Sequence, residues 1–238
     1  MIVIPMAGRS RRFFDAGYER PKFMLELQGR SVFAHAVGSF EAQFKHESFL
    51  FVVGPDAEAE AFVRAECARM GLADAAVVRL EQVTAGQAET VEVGLALAGV
   101  AGDPALTIFN IDTFRPGFSY PPAMAGLDGW LEVFRGEGAN WSYVRPAPGP
   151  EPIALETAEK RPISDLCCTG LYHFARASDF LWALQAERAA PQARELYVAP
   201  IYNHLIGRGA RIGYSLIGRE AVVFCGTPDE YEALTGRP

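Results

Sequence analysis

The sequence predicts an α/β fold: a mixed, mostly parallel sheet with helices on both faces. Three observations carry that prediction. Strand-like apolar runs alternate with helix-like stretches up to residue 111, the rhythm of right-handed βαβ units. The first run, Met1 to Met6 (MIVIPM), is continuously apolar rather than alternating, as in a central strand buried on both faces. Residues able to do chemistry follow the strands, where ligands bind in such sheets.

Residues Ala7 to Pro21 are rich in Arg and Gly, lack regular periodicity, and read as a long loop after the first strand. Val32, Phe33, Val37, Phe40 and Phe44 recur at helical spacing, so a helix is expected from Ser31 to Phe44 with Ser31 as its cap. Phe49 to Val53 reads as a strand, Glu58 to Met70 as a helix, Ala75 to Leu80 as a strand, Gln87 to Leu97 as a helix and Ala105 to Ile111 as a strand. The pattern then changes. Strands are expected over Trp130 to Arg135, Asn140 to Arg145, Leu171 to Phe174, Arg211 to Leu216 and Ala221 to Cys225. Pro146 to Pro152 (PAPGPEP) reads as an exposed turn. Helices are expected over Phe180 to Ala190, Leu196 to Ile206 and Asp229 to Leu234, with Asp229 as the cap of the last. No repeat or low-complexity tract divides the chain. It reads as a single domain over residues 1–238, with a first half (1–115) and a second half (116–238) that completes the sheet and covers a site.

The 238 residues carry 22 Lys+Arg against 29 Asp+Glu, a net charge of −7, which argues against a nucleic-acid partner. Cys67, Cys167, Cys168 and Cys225 show no CxxC spacing and read as small buried hydrophobes in a reducing compartment. No run approaches the roughly 20 apolar residues that span a bilayer, and no basic segment followed by an apolar one opens the chain. A complete cytoplasmic protein with no membrane partner is expected.

Against this acidic background, five cations cluster after the first strand: Arg9, Arg11, Arg12, Arg20 and Lys22. A glycine-containing loop there offers backbone N–H groups to phosphate oxygens, which makes Ala7, Gly8 and Arg9 candidates for holding a nucleotide. Arg forks and a Lys point charge neutralise further phosphate oxygens. Neither G-x-x-x-x-G-K-[ST] nor G-x-G-x-x-G is present. The segment IPMAGRSRRFFDAGYERPKFML resembles the signature of nucleotidyltransferases that activate sugar phosphates and related small phosphates, most nearly their capsular-polysaccharide branch. The resemblance runs from Ile2 to about Leu234. It implies a Rossmann-like fold of the nucleotide-diphospho-sugar transferase kind, with Arg12 and Lys22 as catalytic cations. Ser10 stands where that family has its second glycine, and Arg9 where a small residue is common.

Two further segments extend the likeness. In Gln82-Val83-Thr84-Ala85-Gly86-Gln87-Ala88, the Gln82 amide presents a donor and an acceptor to a pyrimidine edge, and Gly86 permits close backbone approach to a base. The resemblance implies base binding by Gln82 and Gly86. Thr107 to Phe109 leads to Asn110-Ile111-Asp112, and an Asp at a strand end facing a phosphate loop suits Mg²⁺. The resemblance implies that Asp112 is the metal ligand and Mg²⁺ the cofactor. A second family carboxylate falls on Phe224 in Phe224-Cys225-Gly226-Thr227-Pro228, which leaves Asp165 and Asp229 as the nearest substitutes.

Glu159-Lys160 followed by Thr169-Gly170-Leu171-Tyr172-His173-Phe174 resembles the family's acceptor run, which implies that Glu159 contacts acceptor hydroxyls and Lys160 its phosphate. Glu195 to Asn203 (ELYVAPIYN) also matches the capsular branch; Tyr197 and Tyr202 are candidates for a pocket wall, with core packing the commoner role. The four histidines lack metal-ligand spacing. The expected activity is transfer of NMP from an NTP, CTP or another pyrimidine first, to a sugar 1-phosphate or similar small phosphorylated acceptor with release of pyrophosphate. Partners are then the NTP and the acceptor, and oligomers are open. Two other classes stay in play. A metal-dependent glycosyltransferase needs a second carboxylate beside Asp112, and Asn110-Ile111-Asp112 lacks one. A catalytically impaired nucleotide-binding regulatory protein accommodates Phe224 and Ser10.

Overall fold

The computed structural model describes residues 1–72 and 74–236. The first half holds β1 (Ile2–Met6), α1 (Arg11–Asp15), β2 (Glu26–Leu27), β3 (Arg30–Ser31), α2 (Val32–Gly38), β4 (Phe49–Val53), α3 (Ala57–Met70), β5 (Ala75–Arg79), α4 (Gln87–Leu97), β6 (Leu106–Phe109) and β7 (Thr113–Phe114). The second holds β8 (Gly129–Arg135), β9 (Ser142–Pro146), β10 (Ala154–Glu159), β11 (Leu166–Phe174), α5 (Ala177–Ala189), α6 (Val198–Gly207), β12 (Ile212–Ile217), β13 (Val223–Phe224) and α7 (Pro228–Thr235).

The strands form a mixed sheet in the order β10-β9-β11-β6-β1-β4-β5, with β8 on β11 and β12 on β8. β1 pairs in parallel with β4 and β6, and β4 with β5. β11 runs antiparallel to β6; β9 follows β6 along that same edge and β8 lies along the other, so the sheet forks there. The continuous apolar runs have the expected cause. Ile2, Ile4 and Met6 face one core with Phe49, Phe51 and Val53, while Val3, Leu50 and Val52 face the other. The first core lies under α2 and α3; the second lies under α4, α5 and α6.

The strand Phe49–Val53 and the helix Gln87–Leu97 fall where the sequence puts them. Ser31 caps α2 by accepting from the Ala34 backbone N–H at 3.0 Å, though the helix ends at Gly38. Other expectations need correction. The first loop contains a helical turn, α1, entered through Ser10 at φ 46°. Leu166–Phe174 is a nine-residue strand, longer than expected, and β10 was not anticipated. Thr227, not Asp229, caps α7: its side chain takes the Glu230 N–H and the Glu230 carboxylate returns to the Thr227 N–H, a capping box. Pro200 is tolerated in α6 because it lies in the first turn, where its missing N–H has no helical partner.

Candidate active site

A cavity of about 830 Å³ opens at the carboxyl ends of β1 and β6 and extends over β10 and β11. Ala7, Gly8, Arg12, Lys22, Gly86, Asp112 and Glu159 line it. The fold thus brings together Ala7 and Glu159, 152 positions apart in sequence. Arg9, Gln82 and Lys160 are not among the lining residues; Arg9 and Gln82 are exposed. Of the five clustered cations, Arg12 and Lys22 reach the wall, and Arg9, Arg11 and Arg20 point to solvent.

The loop is held from both ends. Ser10 adopts the left-handed region that glycine occupies most readily, and its hydroxyl accepts the Lys22 backbone N–H at 3.2 Å. Phe13 packs edge-on against Tyr18 (5.4 Å) and Tyr231 (6.1 Å), which anchors α1 on α7. The Lys22 ammonium donates to the Asp112 carboxylate, an ion pair that ties the loop to the turn after β6. Behind that turn, Arg115 Nε donates to both carboxylate oxygens of the buried Glu132, at 2.9 and 3.0 Å, and Thr113 donates to the Thr169 carbonyl at 3.2 Å. Burial pushes the Glu132 carboxyl above its usual range, and the Arg115 guanidinium opposes that.

On the far wall, β11 bulges at Gly170, where φ is 96°. A Cβ there would stand 2.4 Å from Asn110 Nδ2, so only glycine fits. Asn110 accepts from the Gln87 amide at 2.5 Å. Ala85, Gly86 and Gln87 line the cavity at the start of α4, so the positive end of that helix dipole opens on it. Gly86 has a local structural cause: a Cβ would lie 2.5 Å from the Leu196 carbonyl oxygen and 2.6 Å from its nitrogen. The close crossing of the two chain segments is by itself sufficient to require glycine here.

At the other end the Glu159 carboxylate is nearly buried and accepts the Ser142 hydroxyl; burial pushes its pKa up. Lys160, at φ 54°, turns half into solvent and donates to the Tyr197 hydroxyl at 2.6 Å, which holds the ammonium above its usual range. Tyr197 lines the cavity, whereas Tyr202 is core, stacked on Phe174 at 4.4 Å. Trp141 and Phe224 form an aromatic wall with ring centroids 4.6 Å apart. Asp165 pairs with Arg135 at the surface, and neither Asp165 nor Asp229 lines the cavity. Sequence reasoning missed Asn110, Ser142, Glu195 and Glu230 on the wall. Asn110, two residues before Asp112 at the same strand end, was findable; the others depend on long-range folding.

No protein-family model matches the chain, and no curated protein does. Among solved structures, the nucleoside-diphosphate-sugar pyrophosphorylase of Vibrio cholerae RC9 is 48% identical, covers 100% of both chains and superposes with a TM-score of 0.96. This chain belongs to the sugar-phosphate nucleotidyltransferase family. As a nucleotidyltransferase it is an enzyme of the EC 2.7.7 type, which transfers a nucleotidyl group to a sugar phosphate. Two more distant structures share its fold. The inositol-1-phosphate CTP transferase of T. maritima is 14% identical over 98% of this nucleotidyltransferase and 93% of that chain, with a TM-score of 0.74. A UDP-glucose pyrophosphorylase complexed with UDP-glucose is 16% identical over 99% and 96%, with a TM-score of 0.75. Among the described residues, no helix is long and apolar enough to cross a membrane.

Proposed function

We propose that the enzyme transfers CMP, or another pyrimidine NMP, from the NTP to a sugar 1-phosphate or similar small phosphorylated acceptor, in the cytoplasm and for surface-polysaccharide synthesis. One observation carries the reading: Arg12, Lys22, Asp112 and Glu159 line a single cavity in a chain of this family. The pyrimidine preference rests on the Gln82 amide, just ahead of the lining segment that begins at Val83. One domain, 1–238, carries both substrates, the nucleotide on 1–115 and the acceptor on 116–238.

The acceptor phosphate is already an anion, so the step requires no covalent nucleophile from the protein. A phosphate oxygen attacks the α-phosphorus, the bond to the bridging oxygen breaks, and pyrophosphate leaves in line. Catalysis is then positioning and charge neutralisation. Ala7, Gly8 and Arg9 present the loop to the phosphates, and Gly86 belongs to the base end. Arg12 and Lys22 neutralise the β- and γ-phosphates, which stabilises the leaving group. Glu159 accepts from acceptor hydroxyls, and Lys160 steers its phosphate from the rim.

The residues present fit Mg²⁺. Asp112 offers hard oxygen atoms, and Mg²⁺ is ordinarily held by one or two carboxylates together with substrate phosphates. Among the described residues no group of three or more His, Cys, Asp or Glu forms a cage for a metal, which suits an ion that arrives with the NTP. When bound, the ion would supply charge neutralisation at the phosphates. Lys22 must then move its ammonium from Asp112 onto a phosphate. The test is pyrophosphate release with each NTP, Mg²⁺ and a panel of phosphorylated acceptors. Release with a pyrimidine NTP and a sugar 1-phosphate is expected; release that needs no acceptor would overturn the reading.

A further inference from the structure

The ELYVAPIYN segment has a role that the reaction scheme leaves unassigned. Leu196 is fastened to the start of α4: its N–H donates to the Ala85 carbonyl at 3.2 Å, and its carbonyl accepts from the Ala88 N–H at 2.8 Å. One residue away on either side, Glu195 and Tyr197 line the cavity, and Tyr197 takes the Lys160 ammonium. The segment is therefore a strap, fixed to the first half of the chain and lining the cavity beside the second.

The other anchor of the strap is Asn203, one turn and a half into α6. Its amide docks on the free edge of β10, accepting from the Thr157 N–H and donating to the Thr157 carbonyl, both at 2.8 Å. It stands in for a neighbouring strand at that edge. The same amide nitrogen donates to Gln192 Oε1 at 2.6 Å, at the start of the strap. Buried Glu187 fixes Gln192 further by accepting its backbone N–H at 2.7 Å. Thr157 and Glu159 lie two residues apart on one strand and so share a face. The Asn203 amide, together with the Thr157 hydroxyl donating to the Ala199 carbonyl at 2.6 Å, thus sets the strap against the strand that carries Glu159.

We infer that Asn203 is a positioning residue for the acceptor: it fixes the spacing between Glu159 on β10 and Glu195–Tyr197 on the strap. The inference rests on the functional reading for its kinetic consequence but not for its structural one. A misplacement of 1 Å costs on the order of 100-fold in a positioned reaction, and removing one of several anchors costs less. Asn203→Ala and Gln192→Ala are each expected to raise the acceptor KM about tenfold. Binding of a non-hydrolysable NTP analogue should stay within about twofold, because the fastening at Leu196 persists. The double variant should be no worse than Asn203→Ala alone, since both remove one linkage.

Amide deuterium exchange supplies a readout independent of turnover. Both variants should exchange faster over residues 156–160 and 192–197 together, with α4 unchanged. Gln192→Ala removes only an exposed side chain and decides the matter if Asn203→Ala does not fold. Unchanged exchange in those segments, or equal weakening of NTP and acceptor, overturns the positioning role. Faster exchange in both variants, with a wild-type enzyme that releases no pyrophosphate with any acceptor, would instead count against the functional reading alone.

Discussion

Replacing Gly86 with Ala tests the crossing of strap and helix most severely. The new methyl group would stand 2.5 Å from the Leu196 oxygen and 2.6 Å from its nitrogen, both backbone atoms. Restoring ordinary contact at 3.4 Å requires about 0.9 Å of separation. The strap cannot yield that without breaking the 2.8 and 3.2 Å bonds that hold Leu196 to Ala88 and Ala85. Overpacking of this kind costs about 1–3 kcal/mol, and each lost hydrogen bond about 1 kcal/mol more. Taking roughly 3 kcal/mol, a chain of this length should lose about 6–12 °C in Tm. Thermal unfolding followed by circular dichroism measures it. In the folded fraction both the NTP and acceptor KM values should rise, unlike the Asn203 variants, because the crossing serves both ends of the cavity. A Tm within 2 °C of wild type would refute the reasoning.

Other perturbations separate the parts of the site. Arg12→Ala and Lys22→Ala should each lower turnover by about 100-fold or more, as when one preorganised charge-stabilising donor is removed; near-normal steady-state rates in both would sink their assignment. Asp112→Asn should abolish Mg²⁺-dependent activity with the fold intact by circular dichroism, and full activity at limiting Mg²⁺ would rule out Asp112 as the ligand. His173 lies buried beside Thr107, and burial, with the N-terminal ammonium adding to it, holds its pKa down to about 4 from 6.5. The unfolded chain therefore binds the extra proton between those values, so stability is complete above pH 6.5 and falls as the pH drops toward 4. The loss is roughly 3 kcal/mol, and His173→Gln should flatten that acid limb in urea titrations; an unchanged slope would contradict it.

What the sequence conveyed follows physical lines. Phe49–Val53 was legible because five consecutive apolar residues buried on both faces have few other homes. Gln87–Leu97 was legible through its length. β10 was not: Ala154–Glu159 (ALETAE) has weak strand propensity and is stabilised by α6 docking on its edge through Thr157. The turn α1 spans five residues, too few for periodicity to register. Arg12, Lys22, Asp112 and Glu159 were accessible because each lies in a local motif, and all four line the cavity. Tyr197 and Tyr202 show the limit of local reading. They share one motif, yet the turn of α6 buries Tyr202 against Phe174 and leaves Tyr197 on the cavity wall. Ser142 becomes a partner of Glu159 only when β9 and β10 pair.

The fate of the NTP phosphates tests the central claim most directly. CTP labelled at the α-phosphate and CTP labelled at the γ-phosphate are each incubated with Mg²⁺, a sugar 1-phosphate and the enzyme, and the products are separated. Nucleotidyl transfer requires the α-label in a nucleotide diphosphate sugar and the γ-label in pyrophosphate, with both signals appearing about 100-fold more slowly, or slower still, in Lys22→Ala. Appearance of the γ-label on the sugar, or of free CMP with no joined product, would contradict it.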